Sequence, residues 1–150
     1  MATSTSKSLW MGRHFVDGEW CDAGGERFEN YNPASFDEIL GTYPQGSAKN
    51  VDAAVSAARR AFVPWRRTSQ IKRGDLFIRL AELVRRDVDE LAAVLARESG
   101  KILNEARAEV VEGLHMIEYV AGTARQPVGQ IVASEVEAKD LFVRRKPRGV

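Results

Sequence analysis

Apolar residues recur at helical spacing through the middle of the chain, between about Ser47 and Arg125. Apolar positions three or four residues apart lie on one face of an α-helix, so this pattern predicts four amphipathic helices. Ser47 and Ser69 are placed to cap the first two helices, and Gly100 is placed to end the third. We expect the helices to begin near Ala48, Ser69, Asp87 and Leu103, the first ending at Phe62 before Pro64 and the last at Thr123.

The same spacing predicts which side chains face a core. The first helix has an apolar stripe of Val51, Val55, Ala58 and Phe62, and the last has one of Ala106, Val110, Leu114, Ile117 and Ala121. Trp65 follows Pro64, where a large ring is expected to cover the end of the core. Asp87 and Glu90 have the spacing of a capping box for the third helix.

Short half-apolar runs on either side of the helices predict β-structure. Asp17-Gly18 favours a tight turn with positive φ, so residues 13–23 should form a hairpin with Phe15 and Trp20 packed beneath a sheet. Further strands are expected over 27–32, ended by the Asn32-Pro33 turn, and over 38–44. Residues 1–12 are expected to be a mobile tail, with order beginning at Arg13.

A second β-region follows the helices. The segments GQIVAS (129–134) and DLFVRRKPRGV (140–150) alternate like strands and flank the charged, turn-prone stretch EVEAKD, which predicts an antiparallel ribbon. The second segment has no polar or glycine-rich finish of its own. We therefore expect the chain to be a piece of a longer parent.

Composition narrows the class of protein without identifying it. The 150 residues suffice for one domain, with 44% hydrophobic and 29% charged residues and a formal net charge of +1. This near-neutral balance gives no general argument for nucleic acid or an anionic membrane as partner. The single cysteine cannot form an intrachain disulfide, which fits a reducing compartment, and we expect a cytoplasmic location.

The residue types that perform chemistry are scattered. Cys21 follows Trp20 with no nearby base and is interpreted as inert. His14 and His115 are about a hundred residues apart and match no zinc spacing, so both are interpreted as packing or surface residues. Glu105, Glu109 and Glu112 lie close to one helix face and are interpreted as a solvated face paired with Arg107 or neighbouring helices. The glycines at 24, 25 and 41 form no dinucleotide or P-loop fingerprint.

Four cations fall within five residues near the end of the sequence, at Arg144, Arg145, Lys146 and Arg148. Such a run can bind phosphates, which leaves a nucleic-acid binder as one hypothesis. Strand alternation would split these side chains between two faces, and no aromatic residues are interleaved for base stacking. Ion pairing within a larger assembly is the favoured interpretation.

Several short runs, in order, resemble the N-terminal part of the aldehyde dehydrogenase superfamily. They are FVDGEW (15–20), YNPAS (31–35), VDAAVSAARRAFVPWRR (51–67), the long run 72–101 ending in ARESGK, EYVAG (118–122) and RRKPRGV (144–150). The resemblance implies an α/β fold, with strands and four helices flanking a Rossmann-like cofactor domain and then an oligomerisation β-ribbon. On this basis residues 13–126 are the N-terminal portion of the cofactor-binding domain, and 127–150 begin the ribbon and lead toward the cofactor site.

The resemblance also implies a reaction for the parent. A cysteine thiolate attacks an aldehyde, the thiohemiacetal gives hydride to NAD or NADP, and a glutamate-activated water releases the carboxylic acid. In this family the general-base Glu and the nucleophilic Cys come far downstream, and Cys21 does not match the catalytic position. We therefore assign no catalytic, cofactor-binding or metal residue within the chain and expect it to be inactive alone. A homodimer or homotetramer is expected through residues 129–148.

Two further expectations accompany the resemblance. Some family members hold a structural cation near the Asn-Pro turn, and Glu109 with the backbone near Asn30 and Tyr31 is the matching position. Residues 1–150 alone should expose large apolar patches, because the four helices lack the sheet they would cover. The alternative function is a stand-alone module that binds a partner, perhaps a dehydrogenase subunit, through the ribbon and without catalysis.

Overall fold

The computed structural model describes residues 9–22 and 24–150 as a mixed α/β chain. Strands occupy both ends of the described sequence and helices occupy its middle, in the order predicted. Residues 1–8 of the predicted tail lie outside the described residues. Trp10–Met11 form a strand, β1, that pairs in parallel with a later strand. The predicted start of order at Arg13 is therefore too late, because pairing across the sheet supplies partners that a local pattern does not show.

The Asp17-Gly18 hairpin is confirmed. Strands β2 (His14–Val16) and β3 (Glu19–Cys21) pair antiparallel around Asp17 at φ 57° and Gly18 at φ 84°. Phe15 and Trp20 face each other across the hairpin with ring centroids 5.0 Å apart. Both rings are exposed, so the expectation that they pack beneath a sheet is wrong: the rings contact each other, and the Arg13 guanidinium lies 5.9 Å from the centre of the Trp20 ring.

A three-stranded sheet follows, in the order β1-β5-β4. Strands β4 (Arg27–Asn32) and β5 (Ser35–Pro44) form a hairpin around the predicted Asn32-Pro33 turn, and β5 begins three residues before the predicted position 38. Gly41 permits the parallel pairing with β1, because a Cβ there would lie 2.5 Å from the Trp10 carbonyl oxygen. Leu40 is almost fully buried under this sheet.

The first two helices start where the sequence predicts. Helix α1 (Ala48–Trp65) is capped by Ser47, whose hydroxyl accepts from the Asn50 amide while the Asn50 side chain accepts from the Ser47 amide. It continues through Pro64 to Trp65 instead of ending at Phe62, because a proline in the last turn removes one hydrogen bond without blocking the final residues. Helix α2 (Gln70–Arg86) is capped by Ser69.

The third and fourth helices also match in position. Helix α3 (Val88–Ser99) ends at Gly100, which adopts the left-handed conformation at φ 71°. The predicted capping box at its start does not form, since both carboxylate oxygens of Asp87 accept hydrogen bonds from Arg86. Helix α4 (Leu103–Thr123) has the predicted bounds.

Helices α2 and α3 both pack against α4. The buried residues are mostly small: Ala81 in α2, Val88 and Ala92 in α3, and Ala106 and Leu114 in α4. Gly74 lets α2 approach α4 so closely that a Cβ there would lie 2.3 Å from the Ala124 Cβ. Small side chains at these crossings bring the helix axes near one another, and large ones are left outside.

Much of the predicted inward surface is not covered. In α1 only Ala57 is buried, while Val51 and Val55 of the predicted stripe are exposed. Trp65 is also exposed and contacts the Arg73 guanidinium at 5.9 Å from its ring centroid, so its predicted role as a cover for the core is wrong. The β2–β3 hairpin lies beside the first turns of α1 but leaves Val51 and Val55 exposed.

The ribbon at the far end is confirmed as two antiparallel strands, β6 (Gly129–Val132) and β7 (Leu141–Arg144). The strand stops at Arg144, so the predicted β-conformation does not extend through residues 145–150. Gly129 permits a close approach of the strands, since a Cβ there would lie 2.0 Å from the Val143 carbonyl oxygen. Among the helices described, none is long and apolar enough to span a membrane.

Candidate functional site

The residues singled out for chemistry are not brought together. Cys21 is the exposed last residue of β3, and its thiol donates a long hydrogen bond of 3.6 Å to the His14 carbonyl oxygen. His14 and Cys21 are cross-strand neighbours, the pairing that a hairpin with a two-residue Asp17-Gly18 turn produces. The other histidine, His115, is on α4, so no histidine pair forms. The interpretation of Cys21 as inert stays a prediction.

One cavity does contain two of these residues. It lies between the β2–β3 hairpin and the first turns of α1, has a volume of about 220 Å³, and is lined by His14, Val16, Cys21, Gly46, Asn50, Val51, Ala53 and Ala54. Its walls are mainly aliphatic. The Nε2 atom of His14 is buried with no hydrogen-bond partner in the described structure. The lining contains no cation and no glycine-rich loop that would hold a diphosphate, so it does not fit a dinucleotide.

The glutamates of α4 have separate partners. Glu109 forms an ion pair with Lys101, and Glu112 lies 3.8 Å from the His115 Nδ1. Arg107, one of the two alternatives expected to pair with these glutamates, instead pairs with Asp89 of α3 at 2.9 Å. The interpretation as a solvated face is consistent with these contacts, but Arg107 was the wrong partner because α3 lies on its side of α4.

The ammonium group of Lys101 occupies part of the position expected for a structural cation at Glu109. Lys101 contacts the Glu109 carboxylate that the cation hypothesis needs as a ligand. Beside the Asn-Pro turn, the Tyr31 hydroxyl donates to the Glu29 carboxylate, and this bond and charge raise the pKa of Tyr31. Across residues 9–22 and 24–150, no group of three or more His, Cys, Asp or Glu side chains is arranged to hold a metal ion.

A buried polar network, which sequence reasoning missed, joins the first sheet to α3. Asn32 is 9% exposed, accepts from the Ala34 amide at 2.9 Å and donates to Glu38 at 2.7 Å. Arg97 of α3 donates to the same Glu38 at 2.7 Å, and its guanidinium lies 5.3 Å from the centre of the Trp10 ring. The network fixes the Asn-Pro turn on the helix. Only the Asn-Pro pair hinted at it, because Arg97 is 59 residues from Glu38.

The ribbon exposes apolar side chains on both of its faces. Ile131 and Phe142 are cross-strand partners, and they are 79% and 70% exposed. Val132 and Val143 are also exposed, and they lie on the opposite face because side chains alternate along a strand. A two-stranded ribbon with apolar side chains on both faces is marginal in water by itself. The surface is therefore suited to binding another polypeptide.

The helices expose many apolar side chains as well, and the expectation of large contiguous apolar patches stays a prediction. The exposed members include Val51, Val55, Ile71, Leu76, Ile78, Leu80, Leu83, Leu91 and Met116. Single exposed apolar residues are normal, but so many on neighbouring helices are typical of an interface or an uncovered core.

The basic run lies at the base of the ribbon. Arg144 ends β7, and Arg145, Lys146 and Arg148 follow in extended backbone; all four are exposed. Within the described part of the chain none of the four forms an ion pair. They are therefore free to meet a partner's carboxylates or phosphates.

Comparison with known proteins places the chain in a family. The aldehyde dehydrogenase family model matches residues 20–150. The chain is 35% identical to betaine aldehyde dehydrogenase of Bacillus subtilis, covering 91% of this chain and 28% of that protein. It is 37% identical to 3-sulfolactaldehyde dehydrogenase of Pseudomonas putida, covering 95% and 29%.

A solved structure agrees with these sequence matches. The crystal structure of an NAD-dependent aldehyde dehydrogenase from Sinorhizobium meliloti superposes with a TM-score of 0.85 at 34% identity, over 93% of this chain and 28% of that one. The chain thus spans less than a third of the length of the relatives it matches, and it corresponds to the N-terminal part of their fold. A family match over most of the chain and a superposition at this level together show that the chain belongs to the aldehyde dehydrogenase family.

Proposed function

We propose that this chain is the N-terminal portion of an enzyme that oxidises an aldehyde to a carboxylic acid with NAD or NADP, through a thiohemiacetal on a cysteine outside residues 1–150. The observation that carries the proposal is the family match over residues 20–150, within a chain that spans less than a third of its relatives. The chain's own role is structural: it supplies the β4–β5 sheet, the helical layer and the ribbon.

The described residues support an inactive portion. Cys21 lies in a short exposed hairpin, and the groups around its cavity offer no carboxylate to activate water. A nucleophile and its base need to be within hydrogen-bond reach of each other and of a bound substrate. The cofactor is assigned to the remainder of the parent, since the cavity beside Cys21 does not fit it.

The experiment is to read the coding sequence beyond Val150, express the extended product and measure formation of reduced nicotinamide with a panel of aldehydes. We expect turnover by the extended protein and none by residues 1–150. Cys21→Ser should leave kcat unchanged in the extended protein, whereas alanine at the downstream nucleophilic cysteine should abolish it. Turnover by purified residues 1–150, or loss of turnover in Cys21→Ser, would overturn the proposal.

We propose further that the parent is a homodimer or homotetramer assembled through residues 129–148. The exposed apolar faces of the ribbon support this assembly. Ile131→Asp in the extended protein should shift the oligomer toward monomer in analytical ultracentrifugation. An unchanged sedimentation coefficient would place the interface elsewhere.

We also propose that the protein works in the cytoplasm. The support is its single, unbridged cysteine, since disulfides persist mainly in oxidising compartments. Fractionation of cells that express a tagged extended protein tests this, and recovery in an exported fraction would contradict it.

The second candidate is a stand-alone module that binds a dehydrogenase subunit through the ribbon. The observation that favours it is again the ribbon, which offers unpaired strand edges and exposed apolar side chains. Co-purification of residues 1–150 with a full-length subunit would support it, and a monodisperse, unattached monomer would exclude it.

A further inference from the structure

We propose that Asp17 is a site of spontaneous isoaspartate formation, and that this modification releases the β2–β3 hairpin from α1. In isoaspartate the main chain runs through the side-chain carboxyl group of the residue instead of through its own carbonyl group. The rearrangement needs only water, so it is independent of the activity and the assembly proposed for the parent.

The residue that follows Asp17 makes the site specific. Isoaspartate forms when the amide nitrogen of the next residue attacks the aspartate side chain, and a Cβ on that next residue hinders the approach. Glycine has no Cβ. Among the twelve glycines of the sequence, Gly18 alone follows an Asp or an Asn. The chemistry therefore favours Asp17 over every other aspartate of the chain.

The turn is exposed and has room for the reaction. Asp17 and Gly18 are its two central residues, at φ 57° and 84°, and the Asp17 side chain is 62% exposed. A Cβ placed on Gly18 would meet nothing within 4 Å, so a ring can form beside the Gly18 backbone. The flanking strands have only three residues each, and so short a hairpin opens readily. The opened turn can adopt the backbone angles that ring closure requires.

The rearrangement balances with water as its only co-reactant. The Gly18 amide nitrogen attacks Cγ, the carboxyl carbon of the Asp17 side chain. The N–Cγ bond forms, and the amide proton and the carboxyl hydroxyl leave as water, which closes a five-membered succinimide. Water then adds to the main-chain carbonyl carbon of Asp17 and breaks its bond to the Gly18 nitrogen, which takes up a proton. The product has the original mass, and its α-carboxylate has become the side group.

The Arg60 guanidinium restrains the reaction. Its Nη2 lies 2.9 Å from the Asp17 Oδ2, so the closed turn has its carboxylate bound to α1. This contact must break before Cγ can turn toward the Gly18 nitrogen. Both side chains are more than half exposed, and exposed ion pairs contribute little. Arg60 therefore slows isoaspartate formation without preventing it.

Isoaspartate removes the contacts that hold the turn on α1. Phe15 and Val16 lie with the turn on one side of a groove, and α1 forms its other side with residues that include the buried Ala57. The product has one more main-chain carbon in the turn, so the pairing of Val16 with Glu19 no longer fits. Its carboxylate is also displaced, and Arg60 loses its partner. We therefore expect the hairpin to leave α1 and expose Ala57.

The test incubates the whole chain at neutral pH and physiological temperature for several weeks. Isoaspartate is measured by methyl transfer with an isoaspartyl methyltransferase and is located by fragmentation mass spectrometry of peptides. We expect more isoaspartate at Asp17 than at all other aspartates together. Asp17→Glu is the matched control and should lose this signal, because its larger ring closes far more slowly. A signal at Asp17 no higher than at the other aspartates would overturn the site.

Two further measurements test what the turn contacts do. Arg60→Ala should accelerate isoaspartate formation roughly 1.5- to 5-fold, the factor that an exposed ion pair supplies, whereas Arg59→Ala, at an exposed neighbour, should leave the rate unchanged. Equal rates in these two variants would overturn the restraint by Arg60. In the separated isoaspartate form, amide hydrogen exchange over residues 14–21 and around Ala57 should be faster than in the unmodified chain. Unchanged exchange would overturn the release of the hairpin.

Discussion

The helical layer and the ribbon both have regular patterns of apolar residues. They differ in whether the chain itself buries those residues. In the layer formed by α2, α3 and α4, Ala92, Ala106 and Leu114 are buried by neighbouring helices of the same chain. In the ribbon, Ile131 and Phe142 are left in water. The helices cross through small residues such as Gly74, whereas the ribbon contacts no other element of the described chain extensively.

The difference shows that a hydrophobic pattern predicts an interface without predicting whose surface completes it. Burial of apolar area stabilises equally whether the covering side chains are in the same chain or in another. Within the chain, the apolar side chains of the helical layer are buried only where the helices cross at small residues. In the ribbon, Ile131 and Phe142 are not covered by any element of the described chain.

The largest expected effect comes from truncating one apolar side chain in each region. Leu114→Ala should lower the free energy of unfolding by about 2–5 kcal/mol, because Leu114 is 6% exposed and its removal leaves a cavity. Ile131→Ala should change it by less than about 0.5 kcal/mol in the isolated chain. Urea unfolding followed by circular dichroism measures both, and similar losses would mean that the ribbon is already covered.

A second test adds volume at the helix crossing. Gly74→Val should destabilise the chain by about 1–3 kcal/mol, because its Cβ would meet the Ala124 Cβ and the helices would have to separate. The matched control is Gly113→Ala on α4, where an added Cβ meets nothing within 4 Å and should stabilise by roughly 0.5–1 kcal/mol. If both substitutions had the same sign, close packing of α2 on α4 would not be what requires glycine.

A third test concerns the network that attaches the first sheet to α3. Asn32→Ala removes the acceptor of the Ala34 amide and one donor to Glu38, and should cost about 1–3 kcal/mol. Hydrogen exchange of the Ala34 amide should accelerate more than that of the ribbon amides. Asn104→Ala is the exposed control, and equal effects at positions 32 and 104 would show that the network contributes nothing.

The smallest expected effect is electrostatic and lies between α2 and α3. The hydrogen bonds from Arg86 hold the pKa of Asp87 below its ordinary value. Because the pKa is lowered in the folded chain, the stabilisation is present above the unfolded pKa and is lost as pH falls through the folded one. Arg86→Gln should move the pKa of Asp87 upward in a carboxylate NMR titration. An unchanged pKa would mean that Arg86 is not its cause.

The elements were more predictable than their contacts. The bounds of α4, the Ser47 and Ser69 caps and the left-handed Gly100 follow from local rules, which act within a few residues. Strand β1 was missed because its pairing partner lies 31 residues away. The Asp87 cap was wrong because the adjacent Arg86 competes for the same carboxylate.

In the candidate site, too, local features were predictable and contacts between distant elements were not. The ribbon and its basic run followed from strand alternation and from four cations in sequence. The link from Arg97 to Glu38 was not visible, because it joins residues on different elements that are far apart in the sequence.

Local spacing and residue identity are enough to predict the order of helices, hairpins and ribbon and the resemblance to the aldehyde dehydrogenase family. Which apolar faces are covered, which ion pairs form and how exposed the ribbon is depend on contacts between elements. Burial depends on what lies across from a side chain, often from a distant part of the polypeptide. For Ile131 and Phe142 no part of the described chain lies there, so both side chains stay exposed.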